Sequence, residues 1–260
     1  MLTVDGLLLD IDGVLVTSWQ PIPGAIDAMA AFRAAGVPVC LITNTTTHPR
    51  TELAATLARA GLEVAPDMIV TAVTATAEHL RRAHPEAAVF LLSDGDARAD
   101  LEGIRLVDEP ADADVVVLGG ASDDFTYGTV NGVFGRLMRG DVSLVAMHRN
   151  MFWRTSHGFE LDAGAYVAGL EAATGLEATV CGKPAPAYFE AALSVLGIAA
   201  GRAAMVGDDV VNDVDGARAA GLTGILVRTG KFRPDDLGRG TPDHVVDSLA
   251  DVPALLGLAG

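Results

Sequence analysis

Short, unbroken apolar runs alternate with stretches of helical periodicity along almost the whole chain. From the N-terminus they are "GLLLDI", a helix from about Ala25 to Ala35, "VPVCLITN", a helix from about Arg50 to Ala60, "DMIVTA", and a helix through His79 to Ala83. This alternation predicts βαβ units around a parallel sheet. The runs lack period-two alternation, as strands do when helices cover both faces of their sheet.

A second set of the same kind occupies residues 80–178: "AAVFLLSD", "DADVVVLGGA", a helix near "FTYGTVNGVFGRLMRG", "VSLVAMH", and a helix at "AGAYVAGLEAATG". The remainder returns to the first style with "ATVCG", a helix from Ala187 to Leu196, "AAMVGDD", a helix over "DVDGARAAG", and "GILVRTG". No low-complexity linker divides the sets. The expected fold class is α/β, with a discontinuous parallel-sheet core at 1–79 and 179–260 interrupted by an α/β insert at 80–178.

Composition narrows the picture. Half of the 260 residues are hydrophobic, enough for a sizeable core. Acids outnumber bases by 34 to 18, a formal charge of −16, which argues against non-specific binding to nucleic acid or an anionic membrane. Any anionic ligand must therefore meet a locally positive site. Cys40 and Cys181 sit inside apolar runs, as buried free thiols do. The N-terminus has no basic region before its apolar run, and no stretch of about 18 uncharged apolar residues occurs, so a soluble, cytoplasmic protein is expected.

Candidate chemistry gathers where strands end. Ligands in open α/β sheets bind at the carboxyl ends of strands, near a topological switch point. Four such ends carry polar residues: Asp10 and Asp12, Thr43 and Asn44, Lys183, and the "GDDVVND" run with Asp208, Asp209 and Asp213. On one sheet these four clusters converge. Several carboxylates in one pocket are costly unless a cation neutralises them. An all-oxygen set suits Mg²⁺ better than zinc, and lysine, threonine and asparagine supply the donors that phosphate accepts. Singly, each residue has an ordinary reading: Asp208 and Asp209 as turn residues, Asn212 and Asp213 as caps, and Lys183 as a solvated loop lysine. The histidines at 48, 79, 84, 148, 157 and 244 show no metal-ligand spacing and read as surface or satisfied polar residues. The aromatics of "NMFW", 150–153, read as insert core or as a pocket lining.

"DIDGVL", "LITN", "GKP" and "GDDVVND", in that order, resemble the four motifs of the haloacid dehalogenase superfamily. The long insert resembles the α/β type-two cap of subfamily IIA, the NagD-like and p-nitrophenylphosphatase-like group. "TNTTT", "TAVTA", "MVGDD" and "GILVRTGK" look closest to its branch that holds phospholysine phosphohistidine inorganic pyrophosphate phosphatase. The resemblance implies a Rossmann-like core and a Mg²⁺-dependent phosphatase acting on a small phosphorylated substrate. It implies that Asp10 attacks phosphorus and that Asp12 protonates the leaving oxygen and then deprotonates the hydrolytic water. Mg²⁺ would be held by Asp10, the backbone carbonyl of Asp12, and Asp208. Thr43, Asn44 and Lys183 would grip the phosphoryl group, supported by Asp213 and Asp209, with Gly13 permitting the tight turn. A homodimer through the cap is common in the resembling group.

This chain reads "AMHRNMFW" and "DAGAY" where many members carry other cap segments, while Asp124, Phe125 and Tyr127 fit the cap pattern. Two other activities compete. A haloacid dehalogenase shares the aspartate nucleophile, but halide displacement needs neither Asp12 nor the acids of "GDDVVND". A receiver-like phospho-accepting protein would be about half this length, with its nucleophile on a middle strand.

Overall fold

The computed structural model describes residues 1–155 and 158–258, which divide into two compact units. The first comprises Met1–Thr43, Arg50–Val70 and Lys183–Gly260, and the second comprises Asn44–Pro49 and Thr71–Gly182. The second unit begins nine residues before the expected insert and ends four after it, and it also takes 44–49, which were expected in the core. The helix Ala72–Ala83 buries Ala72, Val73, Ala77 and Leu80 among Val89, Val115, Val117 and Val145, which puts it with the second unit.

The first unit is built on a six-stranded sheet. Its order is His244–Val246, Thr223–Val227, Ala203–Gly207, Gly6–Asp10, Val39–Thr43, Ile69–Thr71. Gly6–Asp10 pairs in parallel with both neighbours, Leu7 facing Ala204 on one side and Val39 on the other. Leu7, Leu8 and Leu9 are all fully buried, because helices cover both faces; each contributes roughly 1.5–3 kcal/mol. Leu7 and Leu9 pack with Phe32 of the helix Ala25–Ala34, Leu53 and Leu57 of Arg50–Arg59, and Val252 near the C-terminus. The helix Pro186–Leu196 packs against Val39–Thr43 and Gly6–Asp10.

The second unit has its own five-stranded parallel sheet, in the order Thr179–Val180, Ser143–Ala146, Val115–Leu118, Val89–Leu92, Leu106–Val107. The helices Tyr127–Leu137 and Ala163–Thr174 bury Val133, Leu137, Val167 and Leu170 in a core with Val116 and Leu144. An antiparallel pair, Phe152–Thr155 with Gly158–Leu161, carries Phe152 and Phe159 at 61% and 70% exposure. Phe152 therefore belongs to no core. Phe125 is buried in the second unit, whereas Asp124 and Tyr127 are exposed. Among the described residues no helix is long and apolar enough to cross a membrane.

Both cysteines are free and buried, and burial pushes their thiols up to about 12 at Cys40 and about 11 at Cys181. His148 is buried beside Asp162, its Nδ1 accepting from the Asn150 N–H. His79 departs from expectation, since its Nε2 is buried with no partner among the described residues. His157 lies outside the described residues.

Candidate active site

The strand Gly6–Asp10 stands where the strand order reverses. The chain moves from it to Val39–Thr43 on one side and later returns to place Ala203–Gly207 on the other. The crevice at such a point is where ligands bind in open α/β sheets. Asp10 ends the first strand, and Asp208 follows the returning one.

Carboxylate oxygens of Asp10, Asp208 and Asp213 all lie within 4.8 Å of one another, and all three residues are buried. Lys183 reaches them from a loop. Its Nζ donates to Asp10 Oδ1 at 2.7 Å and lies 2.7 Å from Asp213 Oδ1. The preceding strand, Thr179–Val180, belongs to the second unit's sheet, so Lys183 does not stand at a strand end of the first sheet as expected. Its position comes instead from the turn into the helix Pro186–Leu196.

Three buried carboxylates against one buried ammonium leave negative charge uncompensated. Burial, reinforced by Asp10 and Asp213, pushes the Asp208 carboxyl up to about 7. Burial likewise raises Asp213 to about 6, with Lys183 pulling the other way and Asp10 and Asp209 adding to the rise. Lys183 is itself held above the ordinary lysine value: burial opposes its charge, but Asp10 and Asp213 outweigh it. Asp208 Oδ1 is buried without a hydrogen-bond partner among the described residues. An orphaned carboxylate oxygen beside two other carboxylates is a donor set that a hard cation satisfies, and its all-oxygen character suits Mg²⁺.

Asp12 follows Asp10 by two residues and is exposed. Its carboxyl is raised by desolvation, against Lys231 and Lys183. Gly13 then turns the chain at φ 84°. A Cβ there would stand 2.0 Å from Asp208 Oδ2 and 2.9 Å from the Gly230 Cα. Gly230, at φ 65°, is closed off by the same carboxylate. Two glycines back to back thus make the slot that Asp208 occupies.

Asp209 has a different job from its neighbour. Its Oδ1 accepts from the N–H groups of Val211 and Asn212 at 3.0 and 2.9 Å, capping the turn Val210–Asp215, and these bonds hold its carboxyl low despite burial. Asp213 Oδ2 accepts from the Asp209 N–H, so the cap orients the acid that meets Lys183.

Thr43 ends the strand beside Asp10, one residue beyond Ile42, which faces Asp10 in register. Its N–H donates to the Tyr188 hydroxyl at 2.9 Å, and that hydroxyl lies 2.8 Å from Thr43 O and 2.7 Å from Val70 O. Tyr188 is fully buried and so fixes the backbone of two adjacent strand ends. Tyr188→Phe should lower stability by about 1–3 kcal/mol in urea unfolding, because it leaves a buried N–H and carbonyls unpaired; an unchanged midpoint would contradict this role. Asn44 falls in the second unit, its Oδ1 beside Gly182.

Sequence reasoning missed Tyr188 and the loop Thr229–Lys231. The Thr229 hydroxyl donates to Gly13 O, and the Lys231 N–H donates to Asp208 Oδ2 at 2.7 Å. The available signal was "RTGK", a hydroxyl, a glycine and a cation directly after the strand Thr223–Val227.

A family model of haloacid dehalogenase-like hydrolases matches residues 7–106, and a HAD-hydrolase-like model matches residues 180–252. Human phospholysine phosphohistidine inorganic pyrophosphate phosphatase is 34% identical over 97% of this chain and 94% of its own length. Human haloacid dehalogenase-like hydrolase domain-containing protein 2 is 36% identical over 88% of this chain and 86% of its own. Among solved structures, p-nitrophenyl phosphatase from Archaeoglobus fulgidus superposes with a TM-score of 0.91 at 28% identity, covering 98% of this chain and 100% of that one. NagD from E. coli gives 0.85 at 26% identity, covering 96% and 98%. These matches run through both units and include the stretches that carry Asp10, Lys183, Asp208 and Asp213; the chain belongs to the haloacid dehalogenase-like hydrolases, in subfamily IIA, the group that holds these phosphatases.

Proposed function

We propose that the protein is a Mg²⁺-dependent phosphatase that hydrolyses small phosphorylated compounds through an aspartyl phosphate, an acyl phosphate on Asp10. The observation that carries this reading is the buried group of Asp10, Asp208 and Asp213 around Lys183, with Asp208 Oδ1 unpartnered. Asp10, the Asp12 backbone carbonyl and Asp208 would hold the cation. Asp213 Oδ2 accepts from the Asp209 N–H, while its Oδ1 meets Lys183 Nζ at 2.7 Å as an ion pair without a hydrogen bond, and so Asp213 serves as support. When bound, Mg²⁺ neutralises charge on the carboxylates and on the transferring phosphoryl oxygens.

The chain's own residues do the rest. Lys183 orients Asp10 through the 2.7 Å bond to Oδ1. The carboxylate attacks phosphorus, the bond to the leaving oxygen breaks, and Asp12 donates its proton to that oxygen. Water then attacks the phosphorus of the acyl phosphate, Asp12 takes the water's proton, the P–O bond to the Asp10 carboxylate breaks, and phosphate leaves with Asp10 restored. Desolvation raises the Asp12 carboxyl, the direction a general acid needs. Thr43, set by Tyr188, stands at the adjacent strand end to bond a phosphoryl oxygen.

Phosphate release from p-nitrophenyl phosphate tests the reading. Turnover should appear with Mg²⁺, vanish in EDTA, and return on adding Mg²⁺ back. Release that is indifferent to EDTA, or no release at any Mg²⁺ concentration, would refute it.

A further inference from the structure

The site holds two lysines in opposite circumstances. Lys183 is buried and already engaged by Asp10 and Asp213 at 2.7 Å each. Lys231 makes no ion pair among the described residues; burial opposes its charge, but Asp208, Asp10 and Asp213 act on it from farther off and hold it above the ordinary lysine value. Only its backbone is tied down, by the bond to Asp208 Oδ2 at 2.7 Å.

The loop that carries Lys231 is seated on the turn that follows Asp12. The Thr229 hydroxyl donates to Gly13 O, and Gly230 lies so close to Gly13 that a Cβ on it would stand 2.5 Å from the Gly13 Cα. Lys231 is thereby held near Asp12, the proposed proton donor to the leaving group.

A chain with a formal charge of −16 and four acids at this site repels a polyanion unless a cation receives it. Lysine suits that task as a compact charge on a flexible stem. We propose that Lys231 binds the leaving-group side of the substrate and selects for leaving groups that themselves carry negative charge. The proposal rests on the phosphatase reading, in which Asp12 faces the leaving oxygen. A neutral leaving group such as p-nitrophenol offers Lys231 no such partner.

Titration calorimetry in Mg²⁺ buffer tests this with two unreactive probes, methylenediphosphonate and inorganic phosphate. Lys231→Met should weaken diphosphonate binding about tenfold or more and phosphate binding far less, as loss of one charge-assisted hydrogen bond requires. Lys231→Arg should keep most of the diphosphonate affinity. Equal losses for both probes, or unchanged diphosphonate binding, would overturn the proposal. If the selective loss is found in a protein that releases phosphate from no substrate, the phosphatase reading fails and the binding role of Lys231 stands. If phosphate release is intact and the selective loss is absent, only the role of Lys231 fails.

Discussion

Asp10→Asn is expected to lower phosphate release from p-nitrophenyl phosphate on the order of 10⁴-fold or more, the scale on which enzymes lose a covalent nucleophile. The change is nearly isosteric. Its carbonyl can still accept the hydrogen bond that Lys183 Nζ gives at 2.7 Å, so the strand end keeps its partner. What disappears is the anion that attacks phosphorus, since a neutral amide is a poor nucleophile. Stability should not fall in step with activity, because one of three mutually repelling buried carboxylates has been neutralised. Phosphate release and thermal melting on the same metal-free and Mg²⁺-loaded samples separate the two effects. Activity within about tenfold of the unmodified protein would remove Asp10 from the nucleophile's role.

Much of the fold was legible because burial on both faces writes itself as an unbroken apolar run. "GLLLD" and "AAMVG" are strands with every residue buried, and both were readable without their partners. Sheet membership was not readable, because pairing is a non-local choice. "ATVCG" has the character of a core strand, yet Thr179 and Val180 pair with Val145 and Ala146 in the second unit. The aromatics near residue 152 show the same limit. An apolar side chain announces its hydrophobicity but not whether anything covers it, and Phe152 stacks edge-to-face on an equally exposed Phe159.

The site divides in the same way. The gathering of Asp10, Lys183, Asp208 and Asp213 was legible because costly groups next to apolar runs need a common reason, although Lys183 comes from a loop and Asp213 from a turn, not from strand ends of the first sheet. Residue type alone gave Asp208 and Asp209 the same ordinary reading, and only the family resemblance ranked one as ligand and the other as support; the structure gives them different tasks, one lying in the glycine slot and the other capping a turn. Tyr188 was invisible because a tyrosine on an apolar helix reads as core. Its function lies in a hydroxyl that meets Thr43, 145 residues away in the chain. Thr229, Gly230 and Lys231 matter only because their loop closes on Gly13, more than two hundred residues earlier, which no local pattern records.

Lys183→Met carries the largest expected loss of stability, about 3–5 kcal/mol for the metal-free protein near pH 8, as for other buried ion pairs that lose one partner. Methionine roughly fills the volume but leaves Asp10 and Asp213 without the ammonium that lies 2.7 Å from each. The pH dependence identifies the cause. Lys183 is raised above its unfolded value, so its stabilisation is fully present below about pH 10.5 and does not vary between pH 5 and 8. Asp208 and Asp213 are raised to about 7 and about 6, so their ionisation destabilises the fold fully above those values; acidification towards the unfolded carboxylate value near 4 relieves it. Removing the ammonium raises Asp213 further and enlarges what acidification can relieve. The deficit of the variant relative to the unmodified protein should therefore be greatest at pH 8 and shrink towards pH 5, as read by urea unfolding in EDTA. Taking the difference cancels the acid sensitivity of the remaining carboxylates. A deficit that is independent of pH would mean that lost packing, and not the uncompensated charge of the acids, is what Lys183 relieves. Mg²⁺ should restore part of the stability of the unmodified protein at pH 8 by mass action, because it binds the folded acids in their ionised form.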